Sequence, residues 1–285
     1  MMSVWPKGKE VDMIENLSYE CTITTPEDTM APWPGRLPGP VEGLLYHKGL
    51  YNEEPMEEYL NDYFADFDGI QKMVVLSAVD VESGVYTPFD ESVGIENLGR
   101  VTRASTSIPF AFEPTNFNGR WYMDGGTVWN INIKDAIDKC LTIVDDQEHV
   151  VLDAVITEFL DLEELEETGK AYNNFKRKRD IGKYYKTMND ITEAMRARPH
   201  VNYRHFFQPS ESLGGARTEL DFRNVTTWKF QEVGRSDAYA ALNGGERPAK
   251  SEETAALEHT FTNMVAANYN SALASLEKLT SYFLQ

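Results

Sequence analysis

MVVLSAVDVESGVYTPF, residues 73–89, sets the fold class. Met73 to Val79 is an almost unbroken apolar run rich in valine, the pattern of a strand buried on both faces within a parallel sheet. Glu82-Ser83-Gly84 then turns the chain, and Val85 to Phe89 reads as the returning strand. A second run of the same character, HVVLDAVI, occupies residues 149–156. Helical patterns lie between and around these runs. NEEPMEEYLNDYF places Asn52 as a cap, Pro55 in the first turn, and Met56, Tyr59, Leu60, Tyr63 and Phe64 along one face. Residues 98–107 are predicted helical up to Ile108-Pro109, where proline restricts the residue before it, and IKDAIDKC, 133–140, is a further helix. Alternating strands and helices predict α/β architecture with a mainly parallel central sheet.

Outward from that core, apolar residues Val11, Met13, Ile14 and Leu17 recur at helical spacing near the start. Residues 31–45, APWPGRLPGPVEGLL, hold four prolines and three glycines and are predicted as a surface loop. Asn118-Gly119 separates Thr115-Asn116-Phe117 from RWYM, a strong hairpin signal that makes Arg120 to Met123 a strand with Asp124 at its end. Residues 160–285 read as a less regular, helix-rich C-terminal part of the same domain. It contains the acidic block DLEELEET, 161–168, and a segment from Lys170 to Lys186 with seven basic residues against only Asp180. That segment reads first as a solvated helix face and, as the functional alternative, as a dock for anionic lipid head groups.

Composition excludes several function classes. At 285 residues and 41% hydrophobic content the chain can fill a core. Its formal charge of −19 argues against a nucleic-acid partner, which needs a basic surface. Cys21 and Cys140 stand far apart and are expected to be ordinary buried thiols. None of the five histidines pairs at metal-ligand spacing, and no phosphate-binding glycine loop occurs, so no metal or nucleotide site is expected. No run of about 18 apolar residues is present. The N-terminus has no secretory pattern, and no compartment is assigned.

Nucleophile and base remain. No Gly-x-Ser-x-Gly elbow occurs. The nearest case is VGRSDAYAAL, where Ser236 follows Gly234 and precedes a helix, but the same letters describe an N-cap serine. In RWYMDGGTVWN, 120–130, Asp124 stands between large apolar side chains and Gly125-Gly126, which alone reads as a turn.

Four segments in order resemble the patatin-like phospholipases, a family of lipid acyl hydrolases. KGLYNEEPMEEYL (48–60) is similar to the family's Gly-Leu-Tyr-Asp...Pro-Leu segment, and LSAVDVESGVYTPF (76–89) to its strand and turn. RASTSIPFAFEP (103–114) resembles its Ala-Ser-x-Ala-x-Pro segment, and NGRWYMDGGTVWN (118–130) its Asn-Gly...Asp-Gly-Gly block. The resemblance implies a three-layer α/β/α fold and a serine/aspartate dyad without histidine or cofactor. Asp124 would be the catalytic carboxylate, with Gly125, Gly126 and Asn130 as supporting motif residues. It implies hydrolysis of fatty-acyl esters of phospholipids or neutral lipids through an acyl-serine.

The departures shape the expectation equally. The family's glycine-rich oxyanion segment and Gly-x-Ser-x-Gly are absent, and Trp129, Asn130, Ile131 and Asn132 replace its usual Asp-Asn-x-Pro. WPKGKEVDMIENL (5–17) resembles the stretch just downstream of the family's nucleophile helix. The chain is therefore expected to be one domain incomplete at its N-terminus, lacking N-terminal strands of the sheet. Three functional readings stand: an incomplete copy of an active hydrolase, a non-catalytic lipid- or partner-binding relative, and a hydrolase using Ser236.

Overall fold

The computed structural model describes residues 1–157, 170–213 and 220–244; the acidic block 161–168 lies outside them. Helix α1 (Glu10–Ile23) forms where apolar spacing predicts, but of its stripe only Met13 is buried, while Val11 and Ile14 face outward. After the short α2 (Pro26–Thr29) and β1 (Ala31–Pro32), the Pro/Gly-rich stretch forms α3 (Gly39–Tyr46) rather than loop throughout. Its prolines sit at Pro38, just ahead of the helix, and Pro40, in the first turn, where a missing N–H costs nothing. Gly43 is required by close packing, since a Cβ there would lie 2.4 Å from the Leu50 carbonyl oxygen. What reads as a helix breaker is thus a start signal and a packing contact.

Strand β2 (Tyr51–Asn52) leads into α4 (Glu54–Phe64), which has Pro55 in its first turn and receives the Asn52 side-chain oxygen on the Glu54 N–H at 2.9 Å. Then come β3 (Val75–Asp80), β4 (Tyr86–Asp90), α5 (Ile95–Thr106), β5 (Thr115–Phe117) and β6 (Arg120–Asp124). These strands make a sheet in the order β4-β3-β6-β5. Every neighbouring pair in it is antiparallel, so this sheet departs from the mainly parallel arrangement expected. Ser77 to Asp80 are nevertheless buried, as a continuous apolar run demands. Such a run reports burial on both faces and carries no information on strand direction. The Asn118-Gly119 hairpin forms as predicted, with both residues at positive φ, 51° and 80°.

The chain continues through α6 (Ile133–Cys140), β7 (Val151–Val155), α7 (Ala171–Ala197), β8 (Asn202–Phe207) and α8 (Asn224–Leu242). Here β7 and β8 pair in parallel. The architecture is therefore α/β, with mixed strand directions.

Two cores result. Leu60 and Phe64 of α4, Leu98, Val101 and Ala104 of α5, and Ala78, Phe117 and Tyr122 of the sheet form the first. Across its α4–α5 seam, buried Glu57 pairs with Arg100 at 2.8 Å and buried Arg103 at 3.1 Å. The second core joins Ile133 and Ile137 of α6, Val150, Ile156, Ile191 of α7 and Val201. Residues 125–132 run from one core to the other. Cys21 and Cys140, expected as buried, are both exposed and free: one lies on the outer side of α1, the other ends α6. No described helix is long and apolar enough to cross a membrane.

Candidate active site

Asp124 is the last residue of β6, opposite Ala78 of β3. Its N–H donates to the Ser107 carbonyl at 3.0 Å, which ties the strand end to the C-terminus of α5. The chain then tightens into a 3-10 turn over Gly125–Thr127, and the Gly126 N–H donates to Asp124 Oδ1 at 2.7 Å. The carboxylate thereby caps the turn after it.

Both glycines have a steric reason to be there. A Cβ on Gly125 would lie 2.3 Å from the Ser77 carbonyl oxygen of β3. On Gly126 it would meet the Asn130 side-chain oxygen at 2.7 Å and Asp124 Oδ1 at 3.1 Å. Close approach accounts for the pair; neither has the positive φ that glycine alone adopts freely.

Helix α7 clamps the same loop from the second core. Lys186 Nζ donates to the carbonyls of Gly126 and Thr127, the latter at 2.9 Å. One turn on, Asp190 accepts the Asn130 N–H at 3.1 Å. Asn132 caps α6 and donates from its amide to Ser77 Oγ. Trp129 meets Tyr86 edge to face at 4.7 Å. Beside them lies a cavity of about 150 Å³ lined by Trp129, Ile131, Ile133, Asp190 and Ala194.

Burial pushes the Asp124 carboxyl above its ordinary value, opposed by the Gly126 N–H and the Lys186 charge. Such a group is a better proton acceptor than a solvated aspartate. Among the described residues no serine hydroxyl bonds to it. Of the aromatics flanking it in sequence, Phe112 and Tyr122 are buried, while Phe110 and Trp129 are exposed.

The motif residues are thus brought together: Asp124, Gly125 and Gly126 build one turn, and the Asn130 side-chain oxygen lies against Gly126. Ser236 is not part of it. It lies inside α8, twelve residues after that helix begins at Asn224, so it occupies neither a strand-to-helix elbow nor an N-cap. Sequence reasoning named Lys186 only as the end of the basic segment and missed its contact with this loop; it missed Asp190, which lies beyond that segment, and Glu53, which reads as one more acid in NEEP. No group of three or more His, Cys, Asp or Glu residues that could hold a metal occurs among the described residues.

Residues 3–137 match the family model described as patatin-like phospholipase. That span contains all four motif segments and Asp124, and it ends within α6. No curated protein matches the chain.

Proposed function

We propose, from the match of residues 3–137 to the patatin-like phospholipase model, that Asp124 is the base of a serine/aspartate dyad in a lipid acyl hydrolase. The family acts on lipids; the assignment of the dyad rests on one observation above others. A half-buried carboxylate at a strand end, with its pKa raised by burial, is fixed by the glycines of its own motif.

In this reading a serine Oγ attacks the acyl carbonyl carbon while its proton passes to Asp124. The tetrahedral intermediate collapses, the alcohol of the lipid leaves with that proton, and an acyl-serine remains. Water then attacks the acyl carbon, gives its proton to Asp124, and frees the fatty acid as Asp124 returns the proton to serine. The Gly126 N–H and, after it, the Lys186 charge oppose the rise that burial imposes on the Asp124 carboxyl. None of the 285 residues forms a Gly-x-Ser-x-Gly, so this scheme assigns no serine of the motif type among them.

The basic segment Lys170 to Lys186 supports contact with an anionic lipid surface. Most of it forms the N-terminal half of α7, where Phe175 and Tyr185 are exposed among Lys178, Arg179 and Lys183. Basic residues with interspersed aromatics suit a head-group layer.

Labelling the native polypeptide that contains these residues with a fluorophosphonate, then mapping the modified peptide, tests the assignment. The modified serine is expected in a Gly-x-Ser-x-Gly outside residues 1–285. A label on Ser236 would replace this mechanism, and no label at all would favour a lipid- or partner-binding relative without turnover.

A further inference from the structure

A second buried carboxyl lies beside the Asp124 segment and belongs to no motif. Glu53, between β2 and α4, is 2% exposed. Two hydroxyls of α5 and its C-terminus face it: Thr106 Oγ1 lies 3.2 Å from Oε1 and Ser107 Oγ 3.1 Å from Oε2. The nearby cation, Arg103, is committed elsewhere, to Glu57 at 3.1 Å and Glu113 at 3.5 Å, and acts on Glu53 only through its field. From β6, Asp124 adds a like charge. Glu53 thus has no ion-pair partner among the described residues.

Proton counting shows how it is satisfied. Ser107, 1% exposed, has one hydroxyl proton and three neighbours: the Arg103 carbonyl at 2.8 Å, Thr115 Oγ1 at 2.9 Å and Glu53. A carbonyl can only accept, so the shortest bond takes the Ser107 proton and leaves Ser107 Oγ as an acceptor. Thr106 differs: it is exposed, and its hydroxyl lies as far from Glu53 Oε1, 3.2 Å, as from the Arg103 carbonyl, so it remains a donor to that oxygen. A carboxylic acid at Glu53 can donate from Oε2 to Ser107, where a carboxylate oxygen would face a hydroxyl whose proton the Arg103 carbonyl holds at the shorter distance. Burial agrees, raising the group to about 8.

We propose that Glu53 is a proton-bearing positioning residue for Asp124, acting through Ser107. Its acid form donates to the Ser107 hydroxyl, while the carbonyl of that same residue holds the Asp124 N–H. Losing the proton removes the donor and sets a second negative charge near Asp124, so the anchor of the strand end loosens as pH rises. The catalytic consequence rests on the role proposed for Asp124; the linkage itself does not.

A titration by NMR from pH 5 to 10 reads the linkage without turnover. In the 285-residue chain the Glu53 carboxyl carbon is expected to titrate in the mildly alkaline range, and the Asp124 amide to shift with the same midpoint. Glu53→Gln should abolish that amide step, and Ser107→Ala should reduce it while Glu53 still titrates. A Glu53 midpoint in the ordinary carboxyl range overturns the proposal from the wild type alone, and so does an Asp124 step that survives Glu53→Gln. In the native polypeptide, Glu53→Gln should keep turnover at pH 7 within about threefold and lose the alkaline decline; a large loss at pH 7 restored by no pH would mark a merely structural role. Should Asp124 prove dispensable for hydrolysis, the NMR steps still decide the linkage.

Discussion

Strands β3 and β7 arise from almost the same kind of sequence, MVVLSAV and HVVLDAVI, yet they are built into opposite settings. β3 lies between two antiparallel neighbours with Ala78 fully buried, and it carries the register that places Asp124. β7 has one described neighbour, the parallel β8, and leaves Val151 and Val155 50% and 72% exposed. Hydrophobic content is therefore a poor guide to what a strand does in this molecule. What separates the two is the close approach of other backbone: Gly125 sits against the Ser77 carbonyl, where a Cβ would lie 2.3 Å from its oxygen.

The comparison can be broken most forcefully in the β3 half, where buried charge adds to buried apolar surface. Glu53 has an ordinary value of 4.5 and is held at about 8 in the fold. A raised folded pKa means the folded state binds the proton more tightly, so its contribution is complete below 4.5 and disappears as pH rises through 8. Between pH 5 and 8 the wild type should lose about 3 kcal/mol of stability that Glu53→Gln does not lose. Urea unfolding at several pH values measures this; parallel pH dependences in the two proteins would refute it.

Overpacking β3 comes next. Ala78→Leu inserts three carbons at a position with no free surface and should cost about 2 kcal/mol, read as a lower urea midpoint with an unchanged slope. The corresponding change on β7, Val155→Ala, removes an exposed side chain and should stay within about 0.5 kcal/mol. Equal costs at the two sites would mean that β7 is as enclosed as its sequence suggests, and the contrast between the halves would collapse.

Local elements were legible because local physics determines them. The spacing of Leu60 and Phe64 revealed the buried face of α4, and Asn118-Gly119 defined the hairpin that ends at Asp124. The Asp-Gly-Gly turn was legible too, though for a reason other than positive φ. Strand direction was not, since pairing partners are chosen by connections that a single apolar run does not encode. Nor was α3, whose prolines and Gly43 acquire meaning only against Leu50. Lys186 lies some sixty residues from the carbonyls it binds, and Glu53 is buried by α5 residues far along the chain. Contacts of that range leave no periodic trace in sequence, which is why half of the Asp124 environment emerged only with the fold.

The assignment of Asp124 is the claim on which the rest depends, and one measurement reaches it directly: hydrolysis of a fatty-acyl ester by the native polypeptide containing these residues, against its Asp124→Asn variant. Asparagine keeps the size of the side chain and an oxygen to cap the Gly126 N–H, so the turn should survive and circular dichroism should be unchanged. Loss of the base should lower kcat by at least about 100-fold, with KM changed far less. Turnover within a few fold of wild type in a folded variant would contradict the account.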